Sequence, residues 1–179
     1  MDSTILAYLS GIVDGEGSIN ITQYKTRSNT IRWRPSIKVS MVDKQPIELF
    51  SKTFGFNVTL TKAKSGRTVY TCDAAWRGCR TILEQLYPYL ISKKDLAKLV
   101  MDFCDHVSKY PRINPFPALR DKQGKILKGS KINLLSVGEM EYRKSVYLKV
   151  KSIIYGKSNT IHRQRLSEEA VEKQKLLMQ

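Results

Sequence analysis

Apolar residues along the first part of this chain switch repeatedly between helical spacing and strict alternation. In "STILAYLSGIVDG", Ile5, Leu6, Leu9, Ile12 and Val13 recur at helical spacing, and Ser3 or Thr4 is the expected N-cap. After Gly17 the period drops to two: Ile19 and Ile21 alternate with Asn20 and Thr22, and Ile37, Val39 and Met41 alternate with Lys38 and Ser40. With Arg27 to Thr30 as the connecting loop, these runs predict a hairpin. Helical spacing returns in "KQPIELFSKTFG", where Pro46 suits a first turn and Gly55 a C-terminal stop. Short strands follow around Val58–Thr61 and Thr68–Cys72, split by "KAKSGR". Two more helices follow, "RGCRTILEQLYPYL", ended by Pro88, and "KKDLAKLVMDFCDHV".

The order α-β-β-α-β-β-α-α predicts an α+β domain, one antiparallel sheet with helices on a single face. From Tyr110 to Ser130 the pattern weakens among prolines and glycines, so an irregular loop or extended arm is expected. Beyond it, "GEMEYRKSVYLKVKSII" and "SEEAVEKQKLLMQ" read as two helices.

Charge narrows the function. Thirty-one Lys and Arg against sixteen Asp and Glu, in 179 residues, give a net charge of +15. Eighteen of the basic residues precede residue 121 and thirteen follow, so a detachable tail does not account for the excess. A folded domain so charged is best stabilised by a polyanion, with nucleic acid ahead of an anionic membrane surface or a ribosomal-type role. No apolar run reaches the ~18 residues of a membrane span, and no signal peptide opens the chain; an intracellular, soluble protein without membrane contact is expected. Cys72, Cys79 and Cys104 are irregularly spaced, which predicts reduced thiols. His106 and His162 join no Cys motif, so a zinc ribbon is not supported. "GKILKGSK" lacks the Lys-Ser/Thr order of a phosphate loop.

The stretch "LSGIVDGEGSI" carries the most chemistry. Ala7, Gly11 and Gly15 sit four apart and leave one helical face nearly bare, open to close approach by another helix. Each interior Gly costs ~1 kcal/mol relative to Ala, so the row needs a packing reason. Glu16 lies at the helix C-terminus, where the macrodipole is already negative. It becomes sensible beside a cation: Mg²⁺ binds through one or two carboxylates, carbonyls, waters and phosphates, and the orphan carbonyl of Gly15 is a second donor.

"YLSGIVDGEGSI" resembles the signature of the LAGLIDADG homing endonucleases, with Leu9 to Gly17 covering it, Ser10 in place of Ala and Glu16 in place of the second, catalytic Asp. "YPYLISKKDLAKLV" resembles the family's closing segment, so Lys93, with Lys94 next to it, aligns with an active-site Lys. The resemblance covers residues 1–107, a core of order αββαββα with a sheet saddle for DNA, and leaves 108–179 as a basic arm and helices extending the same domain. It implies an intron-encoded, metal-dependent endonuclease cutting a long, roughly palindromic double-stranded DNA site. Mg²⁺ is the expected cofactor, with Mn²⁺ or Ca²⁺ able to take the same place. A single motif implies a homodimer through the Ala7, Gly11 and Gly15 face, with Glu16 and Gly15 as metal ligands. Asp14 is read as structural. The Gln that relatives carry at the end of the second strand is missing here, since Met41 or Val42 stands in that region; Gln45 is the nearest substitute.

On the same resemblance the sheet reads DNA through Ser18, Asn20, Thr22, Tyr24 and Thr26 of the first strand and Arg34, Lys38 and Ser40 of the second. Arg27, Arg32, Lys62, Lys64 and Arg67 are expected at phosphates or outer base pairs, and Tyr70 as a further DNA contact. Two other activities fit the same scaffold, an RNA-binding intron maturase and a nuclease-dead DNA-binding regulator.

Overall fold

The computed structural model describes residues 2–26, 30–63, 66–110 and 135–176, the last stretch with side chains to residue 156. Helix α1 (Ser3–Glu16) is capped by Asp2 rather than by Ser3 or Thr4: the Thr4 amide donates to its carboxylate at 2.8 Å. An aspartate there both satisfies an orphan N–H and meets the positive helix end, worth ~1 kcal/mol. Leu6, Leu9, Ser10 and Val13 form the buried side of α1. Backbone extends at once into β1 (Gly17–Lys25). A Cβ on Gly17 would lie 2.7 Å from the Cα and the carbonyl oxygen of Val13, so only glycine permits so abrupt a change.

Next come β2 (Ile31–Met41), α2 (Lys44–Phe54), β3 (Val58–Lys62) and β4 (Thr68–Ala75). Asp43 caps α2 by accepting from the Gln45 amide at 3.1 Å, and Gly55 ends it at φ 73°, a left-handed conformation that glycine adopts without strain. Helix α3 (Arg77–Leu86) gives way to a 3-10 turn at Tyr87–Tyr89 that contains Pro88, and α4 (Lys94–Lys109) follows. The four strands form one sheet of order β1-β2-β4-β3. Strand β4 runs antiparallel to both neighbours, with Val39 opposite Cys72 and Cys72 opposite Val58.

Strand parity divides the sheet into a dry and a wet face. Ile19, Ile21, Ile37, Val39, Cys72 and Ala74 are buried on the side where the helices lie. Helices α2 and α3 pack on β4, and α1 packs against α3 and the 3-10 turn. Ile47, Phe50, Ile82, Leu83, Leu86, Val100 and Phe103 complete this core, each contributing roughly 1.5–3 kcal/mol of burial. The Arg80 guanidinium ties α3 to Asp105 of α4 at 2.8 Å. Cys72, Cys79 and Cys104 are free, buried thiols. Burial, with Asp73 nearby, pushes the Cys72 thiol up to about 11, and hydrogen bonding to Cys104 together with burial pushes Cys79 up as well.

The chain divides into two compact units, Met1–Thr22 with Arg34–His106 and Gln23–Trp33 with Val107–Gln179. The first holds most of these elements, while the end of β1, the start of β2 and the last turn of α4 fall in the second. In the second unit, Thr26 and Thr30 close the hairpin end: their hydroxyls lie 2.6 Å apart and the Thr26 amide donates to the Thr30 carbonyl at 2.9 Å. Helix α5 (Val137–Leu176) is really two helices meeting at Gly156, whose φ of 73° and ψ of 173° break the ladder. Helix therefore continues through residues 157–166, which the sequence pattern leaves between its two helices. Met140, Arg143, Tyr147, Val150 and Lys151 form a buried stripe on the first half. Arg143 and Glu139 pair within it, and the Lys151 ammonium lies over the rings of Tyr147 and Tyr155 at 5.4 and 5.5 Å. The expected arm, Tyr110 to Ser130, lies outside the described residues except for Tyr110.

Candidate active site

The end of α1 meets the segment Ile91–Lys93 in a reciprocal tie. The Asp14 carboxylate accepts from the backbone N–H of Ile91 at 2.7 Å, of Lys93 at 2.9 Å and of Ser92 at 3.3 Å, and from the Ser92 hydroxyl at 3.0 Å. Asp14 thus holds the chain entering α4, the structural role its place in the motif suggested. Burial pushes its carboxyl up, but these hydrogen bonds outweigh that and leave it below the usual carboxylate range.

Lys93 returns the contact. Its ammonium donates to the carbonyls of Val13 at 2.8 Å, Asp14 at 2.8 Å and Gly17 at 2.7 Å. All three of its hydrogens are thereby directed at the carbonyl-rich end of α1, where a cation offsets the helix dipole. Burial pushes the Lys93 ammonium below its ordinary value, while Asp14 and Glu16 act in the opposite sense. Lys94 instead lies over the Tyr87 ring at 5.2 Å.

Two residues from the fully bonded Asp14, Glu16 is exposed and has no hydrogen bond or ion pair among the described residues. The carbonyl of Gly15 is not among those that Lys93 takes. Ala7, Gly11 and Gly15 are all exposed on α1, and a Cβ added to Gly11 or Gly15 would meet nothing within 4 Å. Tyr8, 52% exposed, stands beside them. Ser10 is buried on the other side, and its hydroxyl donates to the Leu86 carbonyl at 3.1 Å. A carboxylate and a carbonyl suit a hard cation, but no group of three or more His, Cys, Asp or Glu gathers among the described residues.

The wet face of the sheet carries many of the residues expected to read DNA. Ser18 and Thr22 are exposed and Asn20 half-buried on β1, and Arg34 and Lys38 are exposed on β2. The Ser40 hydroxyl lies 2.9 Å from that of Thr71, across the strand pair. Arg67 is exposed beside the β3–β4 turn, where the Ala63 amide donates to its carbonyl at 2.9 Å. Register moves two residues away from this face: Tyr70 stands opposite Met41 and Leu60, and Lys62 opposite Thr68, all on the helix side. Gln45 is exposed on the first turn of α2, with no bond to Glu16, Gly15 or Lys93. In the second unit Tyr24 is exposed, Thr26 is engaged with Thr30, and Arg32 is half-buried. Arg27 and Lys64 lie outside the described residues.

Sequence reasoning did not reach the Ile91–Ser92 cradle of Asp14, the Ser10 bond or Asp73, a carboxylate on the wet face. The first two need tertiary structure; Asp73 was visible once the parity of β4 was known. Among the described residues, no helix is long and apolar enough to cross a membrane.

The fold has well-characterised relatives. I-CvuI, bound to the I-CreI target with 2 mM Mg and the DNA not cleaved, superposes with a TM-score of 0.65 at 19% identity, covering 94% of this chain and 92% of that one. The archaeal intron-encoded homing endonuclease I-Vdi141I, complexed with DNA, gives 0.64 at 12% identity, with 95% and 98% covered. The group I intron-encoded homing endonuclease I-CeuI, also complexed with DNA, gives 0.59 at 13% identity, with 93% and 77% covered. Comparison with curated protein sequences finds no match. The family model for LAGLIDADG endonucleases matches residues 9–113, beginning inside α1, passing through the whole sheet and including the Asp14–Lys93 tie. With more than half its length matched and the same fold around the motif, the chain belongs to the LAGLIDADG endonuclease family.

Proposed function

We propose that this protein is a site-specific, metal-dependent DNA endonuclease that acts as a homodimer. The observation that carries the reading is Glu16: an exposed, unpartnered carboxylate on a basic chain, at the end of a bare helix face and beside a fully bonded Asp14. Two copies of α1 meeting along Ala7, Gly11 and Gly15 would bring two Glu16 carboxylates to one locus. The DNA complexes of I-CvuI, I-Vdi141I and I-CeuI support double-stranded DNA as the substrate.

Glu16 and the Gly15 carbonyl would hold the divalent ion, Mg²⁺ in our reading. A bound ion of this kind supplies Lewis-acid stabilisation of the extra charge on phosphorus and acidifies a coordinated water. The chain's own work is positional. Asp14 and Lys93 fix the end of α1 so that Glu16 projects from a rigid base, and Lys93 places positive charge beside the reacting phosphate. Gln45, exposed on the first turn of α2, is kept as the candidate to order water. Ser18, Asn20, Thr22, Arg34, Lys38 and Ser40 line a polar strand face suited to base edges, and the Lys/Arg excess neutralises phosphates. Residues 1–107 would then form the catalytic core, and 108–179 an extension of the same domain that adds backbone contacts.

The test is selection of cleaved DNA from a random duplex library, with Mg²⁺ and with EDTA, for the wild type and Glu16→Gln. A recurrent, roughly palindromic site should be cut only with metal. Glu16→Gln should bind it with unchanged affinity while cleavage falls by roughly a hundred-fold or more. Undiminished cleavage by Glu16→Gln would remove Glu16 from the chemistry, and metal-independent cutting would overturn the mechanism.

A further inference from the structure

Among the described residues of the wet face, Asp73 on β4 is the sole carboxylate, directly opposite Lys38 of β2 in the register. The Arg34 guanidinium approaches its Oδ2 at 3.6 Å, and both side chains are about half exposed. On a surface that meets a polyanion, a negative charge opposes binding. Asp73 is therefore not there for affinity. Nor is it there for stability, because exposed ion pairs of this kind contribute about 0–1 kcal/mol. What a carboxylate does well on such a face is restrain a guanidinium. Arg has five donors in a planar fork, and engaging one edge leaves another facing outward in a narrowed set of rotamers. An Arg so presented matches the O6 and N7 acceptors of guanine in the major groove. Elsewhere on the same strand pair, the Ser40 and Thr71 hydroxyls are hydrogen-bonded to each other, so that pair too is arranged before any ligand arrives.

We propose that Asp73 is a specificity-determining residue: it holds Arg34 as a pre-ordered fork that reads one guanine in each half-site, improving discrimination at some cost in affinity. This rests on the DNA-binding function proposed above. The experiment is competitive binding of the full-length protein to its selected duplex, to duplexes changed at each base pair in turn, and to an unrelated duplex. It compares the wild type, Arg34→Ala, Asp73→Asn and the double variant. Asp73→Asn should bind the unrelated duplex at least as tightly as the wild type. Its preference for guanine at the position that Arg34→Ala identifies should fall about two- to five-fold, with other positions unchanged. The double variant should match Arg34→Ala. An unchanged preference in Asp73→Asn, or a loss spread evenly over all positions, would overturn the proposal. A wild type with no base preference anywhere would overturn the DNA reading itself, and the proposal with it.

Discussion

The two sides of α1 carry opposite kinds of residue. One side is finished. Leu6, Leu9 and Val13 are buried, Ser10 bonds the end of α3, and Asp14 and Lys93 exchange seven hydrogen bonds with the opposing backbone and Ser92. The other side is unfinished, with Ala7, Gly11 and Gly15 bare and Glu16 unpartnered. One short helix therefore separates the residues that hold the fold from those that await something else. The lesson is that two acids two positions apart can have opposite roles, assigned by which side of the helix end they occupy.

Gly11→Leu tests the unfinished side and should have the largest effect. Nothing lies within 4 Å of a Cβ there, so the monomer should keep its fold and melting temperature. Self-association, read by analytical ultracentrifugation, should be lost, and cleavage with it. If the Gly11→Leu variant were monomeric and fully active, the comparison would break, because the bare face would then need no partner.

Asp14→Ala tests the finished side. Loss of this cap should destabilise the protein by about 1–2 kcal/mol in urea unfolding. The difference should also depend on pH. Because the folded-state Asp14 carboxyl is held below its unfolded value, its stabilisation is fully present above the usual carboxylate pKa. It fades as pH falls through the lower, folded value. Wild type and variant should therefore converge in acid; a gap that stayed constant below about pH 4 would mean the carboxylate's charge is not what matters.

Ser10→Ala should have the smallest effect. The Leu86 carbonyl keeps a second donor, the Leu90 amide at 3.1 Å, so about 0.5–1 kcal/mol is at stake. A larger loss would show that the hydroxyl, and not only the packing, secures α1 to α3.

Much of this was legible in the chain itself, and the failures have local causes. Period and punctuation located α1, the hairpin, α2 and its Gly55 stop, because each element buries one face and ends at a residue suited to ending it. The first cap was misplaced by one or two residues because Asp2, Ser3 and Thr4 are all good capping types and only backbone geometry chooses among them. The side taken by Tyr70 was not legible, because "TVYTC" has no clear alternation; register sets Tyr70 opposite Met41 and Leu60, and Lys62 opposite Thr68, on the helix side. Lys93 could be aligned but its contacts could not be foreseen, since nothing in "ISKKD" indicates a bond to carbonyls of α1.

Those contacts also set an order of assembly. Asp14 and Lys93 reach partners 76 to 80 residues away in the chain. A nascent polypeptide that has emerged only as far as residue 90 contains all of α1 but neither the cradle for Asp14 nor the ammonium that closes the helix end. Glu16 then lies at a helix end that lacks both of these ties. Its rigid base is completed only when synthesis has passed Lys93, so a truncated translation product ending earlier would carry the signature motif without the support that makes it useful.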